Sequence, residues 1–173
     1  MLTFVDRAKN IKLMIFDVDG VLTDGAIYYT NKGEEFKAFN ILDGQGMKML
    51  KASGVELAII SGRASHSVEL RAQDLGIKFL QQAVEDKYAC YLQLVTSVGL
   101  TAEQTGYIGD DLADLPVMRH CRLAVSVPEA PEIIKRHAHY VTQAGGGRGA
   151  AREICELIMQ AQNSYEKALS KYL

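Results

Sequence analysis

Residues 13–20 of the chain read LMIFDVDG, an apolar run that ends in two aspartates and a glycine. The run has the length of one buried strand, and parallel α/β sheets present their chemistry at the carboxyl ends of such strands. Because side chains alternate faces along a strand, we expect Asp17 and Asp19 on the same side, in one cleft. The same letters also occur at an ordinary strand-to-turn junction, so the interpretation depends on the rest of the chain.

The length and composition of the chain limit the number of domains and the kinds of molecule that it could bind. The chain has 173 residues, 48% hydrophobic and 23% charged, with a formal net charge of -2 at pH 7. This length predicts one domain over residues 1–173, and the small net charge argues against a general nucleic-acid or membrane-surface binder. The apolar run that follows the first ten residues is too short for a signal sequence or a membrane span, which predicts a cytoplasmic protein.

Strand-like and helix-like segments alternate along most of the chain. Buried or β-favouring runs predict strands at residues 13–16, 55–60, 77–80, 105–108, 123–127 and 140–141. Helical spacing and stop signals predict helices at residues 43–52, 65–75, 86–98, 114–119, 131–137 and 150–163. Strands that alternate with helices imply right-handed crossovers, so we expect an α/β fold with a Rossmann-like parallel sheet flanked by helices.

Residues 25–40 interrupt this alternation. Two β-favouring runs surround a turn at residues 31–33 and predict a protruding β-hairpin. The hairpin carries more aromatic side chains than a flap in water would keep, namely Tyr28, Tyr29, Phe36 and Phe39. A partner subunit is the simplest cover for them.

The C-terminal part, about residues 150–173, contains a predicted helix and a tail. Residues 145–149 read GGGRG, which predicts a flexible hinge before that helix. Residues 164–173 are polar and amphipathic, and they predict a frayed tail or a partner-binding arm.

Polar groups follow three of the predicted strands. Asp17 and Asp19 follow the first strand, Ser61 follows the second strand, and the pair Asp110 and Asp111 follows a later strand. Each has an ordinary interpretation too, because Ser61 can belong to a plain turn and the two aspartates can cap a helix. Lys87 falls in the first turn of a helix, where the helix dipole disfavours a cation, so helix stability does not explain it. Asp110, Asp111 and Asp114 repel one another, which indicates a cation beside them.

Magnesium is the natural candidate for that cation, because it prefers hard oxygen ligands and often joins one or two carboxylates to a substrate phosphate. Asp17 and Asp110 would supply the carboxylates. With a metal present the groups suit phosphoryl transfer, in which one carboxylate attacks phosphorus to form an aspartyl-phosphate. A second carboxylate, two residues on, can protonate the leaving alkoxide and later deprotonate water. Ser61 and Lys87 would hold the phosphoryl oxygens.

These groups, in this order and spacing, resemble the four motifs of the haloacid dehalogenase-like superfamily of phosphatases. The matching residues are DVDG at 17–20, Ser61, Lys87 and GDDLAD at 109–114. The resemblance implies four catalytic residues, which are the nucleophile Asp17, the acid/base Asp19 and the phosphoryl-binding Ser61 and Lys87. It implies three metal ligands, which are Asp17, Asp110 and the main-chain oxygen of Asp19. It also implies that water or Lys87 is oriented by Asp111 and Asp114.

The residue at position 19 and the segment lengths narrow the reaction that the resemblance implies. ATPases of this superfamily carry threonine there and dehalogenases lack the second acid, so hydrolysis of a phosphate monoester is favoured. Between Asp19 and Ser61 there is room only for the hairpin and one helix, and between Ser61 and Lys87 only for a helix and a short strand. We therefore expect a capless fold, with specificity supplied by another subunit or a large partner.

Four longer stretches, at residues 17–25, 33–40, 106–111 and 146–155, resemble one family of this superfamily, the phosphatases of 3-deoxy-D-manno-octulosonate 8-phosphate (KDO 8-phosphate). The resemblance implies release of phosphate in lipopolysaccharide sugar biosynthesis. It also implies a homotetramer in which the hairpins form a central barrel, with the C-terminal segment near a neighbouring site. By the same resemblance the substrate pocket is lined by Asp19, Asn40, Asp43, Gly44, Lys48, Ser61, Gly62, Arg63, Arg71 and Lys87.

One position departs from the pattern of that family. Leu42 stands where the family usually has arginine. Phosphatases of nine-carbon sugar acid 9-phosphates, of the KDN or sialic acid type, share the other motifs and are the alternative among enzymes. A protein phosphatase with an open site and a non-catalytic oligomeric subunit that senses phosphate are further alternatives.

Overall fold

The computed structural model describes residues 2–173, which form a six-stranded parallel sheet, helices around it and a separate hairpin. The strands are β1 (Leu13–Phe16), β2 (Tyr28–Tyr29), β3 (Glu35–Phe36), β4 (Glu56–Ile60), β5 (Phe79–Gln81), β6 (Thr105–Ile108), β7 (Leu123–Ser126) and β8 (Tyr140–Val141). The large sheet has the order β5-β4-β1-β6-β7-β8, and every neighbouring pair in it is parallel. The predicted α/β fold is confirmed.

The central strand of the sheet, β1, is buried on both faces. All four of its residues are inaccessible to solvent, as expected for a parallel strand that helices cover from both sides. Phe16 pairs with Ile59 of β4 on one side and with Ile108 of β6 on the other. The residues that follow these three strands therefore meet at one edge of the sheet.

Helices pack around the sheet in two groups. Their bounds are α1 (Phe4–Ala8), α2 (Ile41–Ala52), α3 (His66–Leu75), α4 (Lys87–Ser97), α5 (Leu115–Met118), α6 (Glu132–Lys135), α7 (Ala150–Ala161) and α8 (Tyr165–Leu169). One group is centred on α2 and α7, which contact each other along with α1, α3 and α8, and in the other group α4 contacts α5. Among residues 2–173 no helix has both the length and the apolar character that crossing a membrane requires.

The helix α2 begins at Ile41, two residues earlier than predicted. Asn40 caps it, because its side-chain oxygen accepts the main-chain N–H of Leu42 at 2.8 Å. The predicted helices at 114–119 and 131–137 are each reduced to one turn, α5 and α6. These differences lie at element ends, where local capping decides the boundary.

The hairpin of β2 and β3 stands apart from the large sheet. Tyr28 pairs with Phe36 across the two strands, and their rings stack with centroids 5.4 Å apart. Tyr29 is 60% exposed and Phe36 is 49% exposed. The prediction that the hairpin leaves apolar surface uncovered is confirmed for this chain.

Two predictions about the C-terminal part are corrected. Residues 145–149 do not form a flexible hinge but a turn that packs on the loop after β1, where the Gly147 N–H donates to the Val21 carbonyl at 2.9 Å. Gly146 is buried in this contact. For residues 164–173 the alternative of a frayed tail is wrong, because the segment contains α8 and beyond it Gln45 of α2 donates a hydrogen bond to the Tyr172 hydroxyl at 2.6 Å. The other alternative, a partner-binding arm, stays a prediction.

Candidate active site

The predicted catalytic groups lie at the edge of the sheet where β1, β4 and β6 end. Asp17 follows β1 directly, Ser61 follows β4, and Asp110 follows β6 after one glycine. Lys87 is the first residue of α4, whose cap is the preceding aspartate. Asp17 is 5% exposed, Ser61 1% and Lys87 5%, so the floor of the site is closed to bulk water.

We call Asp17, Lys87, Tyr107, Asp110 and Asp114 the inner cluster. Lys87 Nζ lies 2.8 Å from Asp17 Oδ1 and 2.7 Å from Asp114 Oδ1. The Tyr107 hydroxyl donates a hydrogen bond of 2.6 Å to the same Asp114 oxygen. Burial opposes a charge on Lys87, but the attraction of the two carboxylates outweighs it and raises the pKa of the ammonium. Lys87 is therefore held as a cation against the predicted nucleophile.

Asp114 is fully engaged in holding this arrangement. Its Oδ2 accepts the main-chain N–H groups of Asp110 and Asp111, each at 3.1 Å, while Oδ1 accepts the ammonium and the hydroxyl. A fully buried carboxylate requires such partners. These contacts are those expected of a residue that orients Lys87. Asp111 is exposed, and the one side-chain hydrogen bond it makes to the described residues is at Oδ1, which accepts the N–H of Leu112 at 2.7 Å.

A metal ion fits between the remaining acids. Carboxylate oxygens of Asp17, Asp110 and Asp114 lie within 4.8 Å of one another, and Asp114 is already engaged. Asp110 Oδ1 is buried, and no donor in the part of the chain described here hydrogen-bonds to it. A buried carboxylate oxygen without a donor is unfavourable unless a cation completes its surroundings. Asp17 and Asp110 therefore suit a hard divalent cation such as Mg²⁺.

The pKa values of these two acids describe the same environment. Burial raises the pKa of Asp17 to about 8 and that of Asp110 to about 7, and the charge of Asp114 adds to both shifts. The ionised forms are thus costly in the protein alone. A bound cation favours them, since it competes with the protons for the same oxygens.

The loop after β1 turns its main chain towards this cluster. The Val18 carbonyl accepts N–H groups from the three residues at 21–23, and Thr23 Oγ1 accepts the N–H of Gly20 at 3.3 Å. Gly20 has a φ of +90°, and a Cβ built on it would lie 2.0 Å from Asp110 Oδ2. Glycine is required here both for its backbone conformation and for the close approach to a predicted metal ligand.

A second set of charges, Asp19, Glu35, Lys37 and Arg63, forms what we call the outer cluster. Lys37 hydrogen-bonds to Asp19, and its Nζ lies 3.1 Å from Glu35 Oε1. Arg63 pairs with Glu35, and its Nε lies 3.9 Å from Asp19 Oδ2. The hydrogen bond from Arg63 is the main cause that lowers the pKa of Glu35. The hairpin is thereby tied to the predicted acid/base.

The sequence did not identify Glu35 and Lys37 as site residues. Charged residues that alternate with apolar ones are typical of a hairpin with one face in water, so they carried no further signal. Their spacing was the available clue. Two residues apart on an extended segment, they point to one side, as Asp17 and Asp19 do after β1.

Ser61 is fixed by its main chain. Its N–H donates to the Gln81 carbonyl at 2.9 Å, and its carbonyl accepts the N–H of Val84 at 3.1 Å. Its Oγ accepts the N–H of Arg63 at 3.3 Å, which leaves the hydroxyl proton for a phosphoryl oxygen. Gly62 lies exposed in the same loop, beside this hydroxyl.

Three predicted pocket residues form one group at the start of α2. Asn40 Nδ2 donates to the Gly147 carbonyl at 3.2 Å, and Arg71 Nη2 donates to the Asn40 carbonyl at 2.9 Å. The guanidinium of Arg71 lies 5.8 Å from the centre of the Phe39 ring. Gly44 lies directly beneath it, since a Cβ there would be 2.2 Å from Arg71 Nη2. Arg71 is thus held at the wall of a groove of ≈ 640 Å³ that reaches Lys37.

Asp43 and Lys48 are not brought to the acids within this chain. Asp43 is 2% exposed, and its carboxylate accepts the N–H groups of Gly149 at 3.2 Å and Arg152 at 2.8 Å. These bonds fix the start of α7. Lys48 lies beside Tyr172 and the C-terminal tail. Their roles in substrate binding stay predictions.

Comparison with known proteins gives the family of the chain. The family of haloacid dehalogenase-like hydrolases matches at residues 82–154. The chain is 49% identical over 164 residues to 3-deoxy-D-manno-octulosonate 8-phosphate phosphatase KdsC of Yersinia pestis, which covers 95% of the chain and 88% of that protein. A probable YrbI family phosphatase from Pseudomonas syringae has a crystal structure with a TM-score of 0.96 to this one, 53% identity, and coverage of 98% of this chain and 96% of that one.

A further solved structure carries ligands. It is 3-deoxy-D-manno-octulosonate 8-phosphate phosphatase from Moraxella catarrhalis, in complex with a magnesium ion, a phosphate ion and KDO. Its TM-score to this structure is 0.97, with 42% identity and coverage of 98% of both chains. At this identity and coverage, the chain belongs to the haloacid dehalogenase-like hydrolases, in the family of the 3-deoxy-D-manno-octulosonate 8-phosphate phosphatases.

Proposed function

We propose that this chain is a Mg²⁺-dependent phosphate monoester hydrolase that removes phosphate from KDO 8-phosphate in lipopolysaccharide sugar biosynthesis. The observation that carries the proposal is the inner cluster, where a buried lysine holds Asp17 and a buried oxygen of Asp110 finds no donor among residues 2–173. The relative solved with magnesium, phosphate and KDO supports the same assignment.

Asp17 serves as the nucleophile. Its carboxylate attacks phosphorus opposite the leaving alkoxide, which forms an aspartyl-phosphate and releases the sugar acid. Ser61 and Lys87 hold the phosphoryl oxygens, and the ammonium offsets part of their charge. Mg²⁺ held by Asp17, Asp110 and the main-chain oxygen of Asp19 supplies further positive charge at this point.

Asp19 transfers the protons. It protonates the alkoxide as the phosphorus–oxygen bond to the sugar breaks, and it then takes a proton from the water that attacks the aspartyl-phosphate. Inorganic phosphate leaves, and Asp17 returns to its starting form. Lys37 and Arg63 flank the Asp19 carboxylate and hold it in position.

The sugar acid is recognised outside the inner cluster. Arg71 lines the groove and Arg63 lies beside Asp19, and guanidinium groups bind carboxylates and hydroxyls through paired hydrogen bonds. Leu42, 62% exposed at the start of α2, offers apolar surface where the family usually has a cation. That observation keeps nine-carbon sugar acid 9-phosphates as a second candidate substrate.

We further propose a cytoplasmic homotetramer of single-domain chains, residues 1–173, assembled through the hairpin at 25–40. The support is the exposed apolar surface of Ile27, Tyr29 and Phe36, since a monomer rarely keeps such a patch in water. In that assembly the C-terminal segment, 150–173, approaches a neighbouring site. Light scattering on the purified protein tests this, and the mass of a monomer would contradict it.

The catalytic proposal is tested by phosphate release. Wild type, Asp17→Asn and Asp19→Asn are compared on KDO 8-phosphate, a nine-carbon sugar acid 9-phosphate and a simple aryl phosphate, with Mg²⁺ and with EDTA. We expect turnover of the eight-carbon substrate to exceed the others, and to be lost in both variants and with EDTA. Asp6→Asn, an identical change on α1, is the control. Unchanged turnover in Asp17→Asn would refute the proposal.

A further inference from the structure

The glycine-rich turn at residues 145–149 lies against the loop that carries the predicted metal ligands. Two hydrogen bonds hold it there, from the Gly147 N–H to the Val21 carbonyl at 2.9 Å and from Asn40 Nδ2 to the Gly147 carbonyl at 3.2 Å. Just before the turn, Glu153 of α7 accepts the N–H groups of the two residues at 143 and 144. The turn is thus fixed on both sides.

Gly146 touches the main chain of Gly20. A Cβ built on Gly146 would lie 1.8 Å from the Gly20 carbonyl oxygen and 3.0 Å from the Thr23 carbonyl oxygen. Both are backbone atoms, which cannot rotate away as the end of a side chain can. Gly146 does not have a positive φ, so glycine is needed at this position for space and not for conformation.

Gly20 is confined from a second direction by Asp110. A Cβ on Gly20 would lie 2.0 Å from Asp110 Oδ2. The α-carbon of Gly20 therefore packs against that carboxylate, and the carbonyl of Gly20 packs against Gly146. Interiors packed this closely transmit a displacement instead of absorbing it. A shift of Gly20 therefore moves the main chain of Asp19, Asp110 or both.

We infer that Gly146 is a positioning residue that sets the distance between the main-chain oxygen of Asp19 and the carboxylate of Asp110. It touches neither the metal nor the substrate and acts through Gly20. The inference rests on the proposed function, because it takes these two groups as the metal ligands. It gives the turn at 145–149 a role in the site, and it links the start of α7 to metal binding.

The neighbouring glycine provides a matched control. A Cβ on Gly145 would lie 2.2 Å from Glu129 Oε1. Glu129 Oε2 accepts the N–H of Gly146 in a long hydrogen bond of 3.4 Å, so this flexible side chain can move aside at the cost of that one weak bond. Gly145→Ala therefore adds the same methyl group to the same turn without pressing on the loop after β1. In Gly146→Ala the added methyl group meets backbone atoms, whereas in Gly145→Ala it meets a side chain.

The experiment measures Mn²⁺ binding by electron paramagnetic resonance, without substrate, in wild type, Gly146→Ala and Gly145→Ala. Residues that position metal ligands typically change metal affinity or activity by about 10- to 100-fold. We expect a loss in this range for Gly146→Ala, with kcat lowered and KM nearly unchanged, and affinity close to wild type for Gly145→Ala. Equal affinities in all three proteins, or an equal loss in both variants, would overturn the inference.

Two further outcomes are covered. If Gly146→Ala does not fold, Glu153→Gln replaces it as the test, because this variant loosens the contact between the turn and α7 without adding a group near Gly20. Weaker Mn²⁺ binding in Glu153→Gln supports the inference, and unchanged binding overturns it. If the wild type hydrolyses no sugar-acid phosphate but the two glycine variants still differ in Mn²⁺ affinity, the proposed function fails and the positioning role stands.

Discussion

The inner and outer clusters lie side by side at the same edge of the sheet, but they differ in charge balance. In the inner cluster three carboxylates face a single ammonium, so full ionisation leaves two negative charges in excess. In the outer cluster two carboxylates face two cations, and the charges cancel. The excess in the inner cluster equals the charge of one divalent cation, and it lies in the less hydrated of the two environments.

The clusters also differ in what holds their members. The inner side chains come from strand ends and the first turns of helices, and they are nearly all buried. The outer ones join a two-stranded hairpin to two loops. Three of their four side chains keep contact with water, since Arg63 is 42% exposed, Asp19 25% and Glu35 18%, while Lys37 is 2% exposed. A buried ion pair depends on both partners, whereas an exposed one contributes little to stability. The inner cluster is therefore built by folding, and the outer one can rearrange when substrate arrives.

Removing the positive charge of Lys87 from the inner cluster is expected to have the largest effect on stability and activity. Lys87→Met leaves Asp17 and Asp114 buried without their shared partner, and breaking a buried pair in this way costs about 3–5 kcal/mol. Phosphate release should be lost as well, because the phosphoryl oxygens lose a ligand. Urea unfolding and a phosphate assay measure the two effects. Lys78→Met, at an exposed lysine before β5, is the control, and an equal loss of stability there would contradict the comparison.

Magnesium is expected to stabilise the inner cluster selectively. At a concentration 100 times its dissociation constant, a ligand of the native state adds about 2.7 kcal/mol to the free energy of unfolding. We expect Mg²⁺ to raise the melting temperature of wild type and of Lys37→Met, and to have little effect on Asp110→Ala. Calorimetry with Mg²⁺ and with EDTA checks this. A full Mg²⁺ shift in Asp110→Ala would place the cation elsewhere.

The inner cluster was largely predictable from sequence, because its parts are local signals. A buried strand that runs into DVDG, a serine and an acidic pair after later strands, and a lysine in an unfavourable helical position each stand out alone. What could not be predicted is the distribution of partners. Asp114 accepts Lys87 and two main-chain N–H groups, whereas one Asp110 oxygen receives no hydrogen bond from the described residues. This difference depends on how the turn at 109–114 folds.

The outer cluster and the glycine-rich turn were harder to predict for a different reason. Glu35 and Lys37 have the composition of any solvated hairpin, and their role depends on where the hairpin folds back. A run of glycines is mobile where no other part of the chain lies beside it, and it packs closely where another backbone segment does. The turn at 145–149 packs closely, because Gly146 contacts the Gly20 carbonyl. This contact is visible only in the tertiary structure.

Removing a cation from the outer cluster is expected to affect turnover more than stability. In Lys37→Met the Asp19 carboxylate loses a hydrogen-bond donor that orients it, and acid–base catalysis by a well-placed group contributes about 10²- to 10⁴-fold. We expect kcat to fall by part of that factor, about tenfold. The Lys37 side chain is 2% exposed, but both of its carboxylate partners contact water and keep Arg63 as a partner, so the loss of stability should be smaller than that of Lys87→Met. Lys32→Met in the hairpin turn is the control. A loss of stability as large as that of Lys87→Met would remove the distinction between the clusters.

The smallest expected effect concerns salt. Glu35→Gln removes one acid that Lys37 and Arg63 share, and partly exposed pairs of this kind contribute about 0.2–1 kcal/mol at low ionic strength. Because the Debye length shrinks to about 3 Å in 1 M salt, the difference between Glu35→Gln and wild type in urea unfolding should nearly vanish there. The deficit of Lys87→Met should persist at the same salt concentration, since its charges are shielded from solvent ions by burial. If both differences declined together, the inner charges would be as accessible to ions as the outer ones, and the inner cluster could not retain the excess charge that makes it a site for a divalent cation.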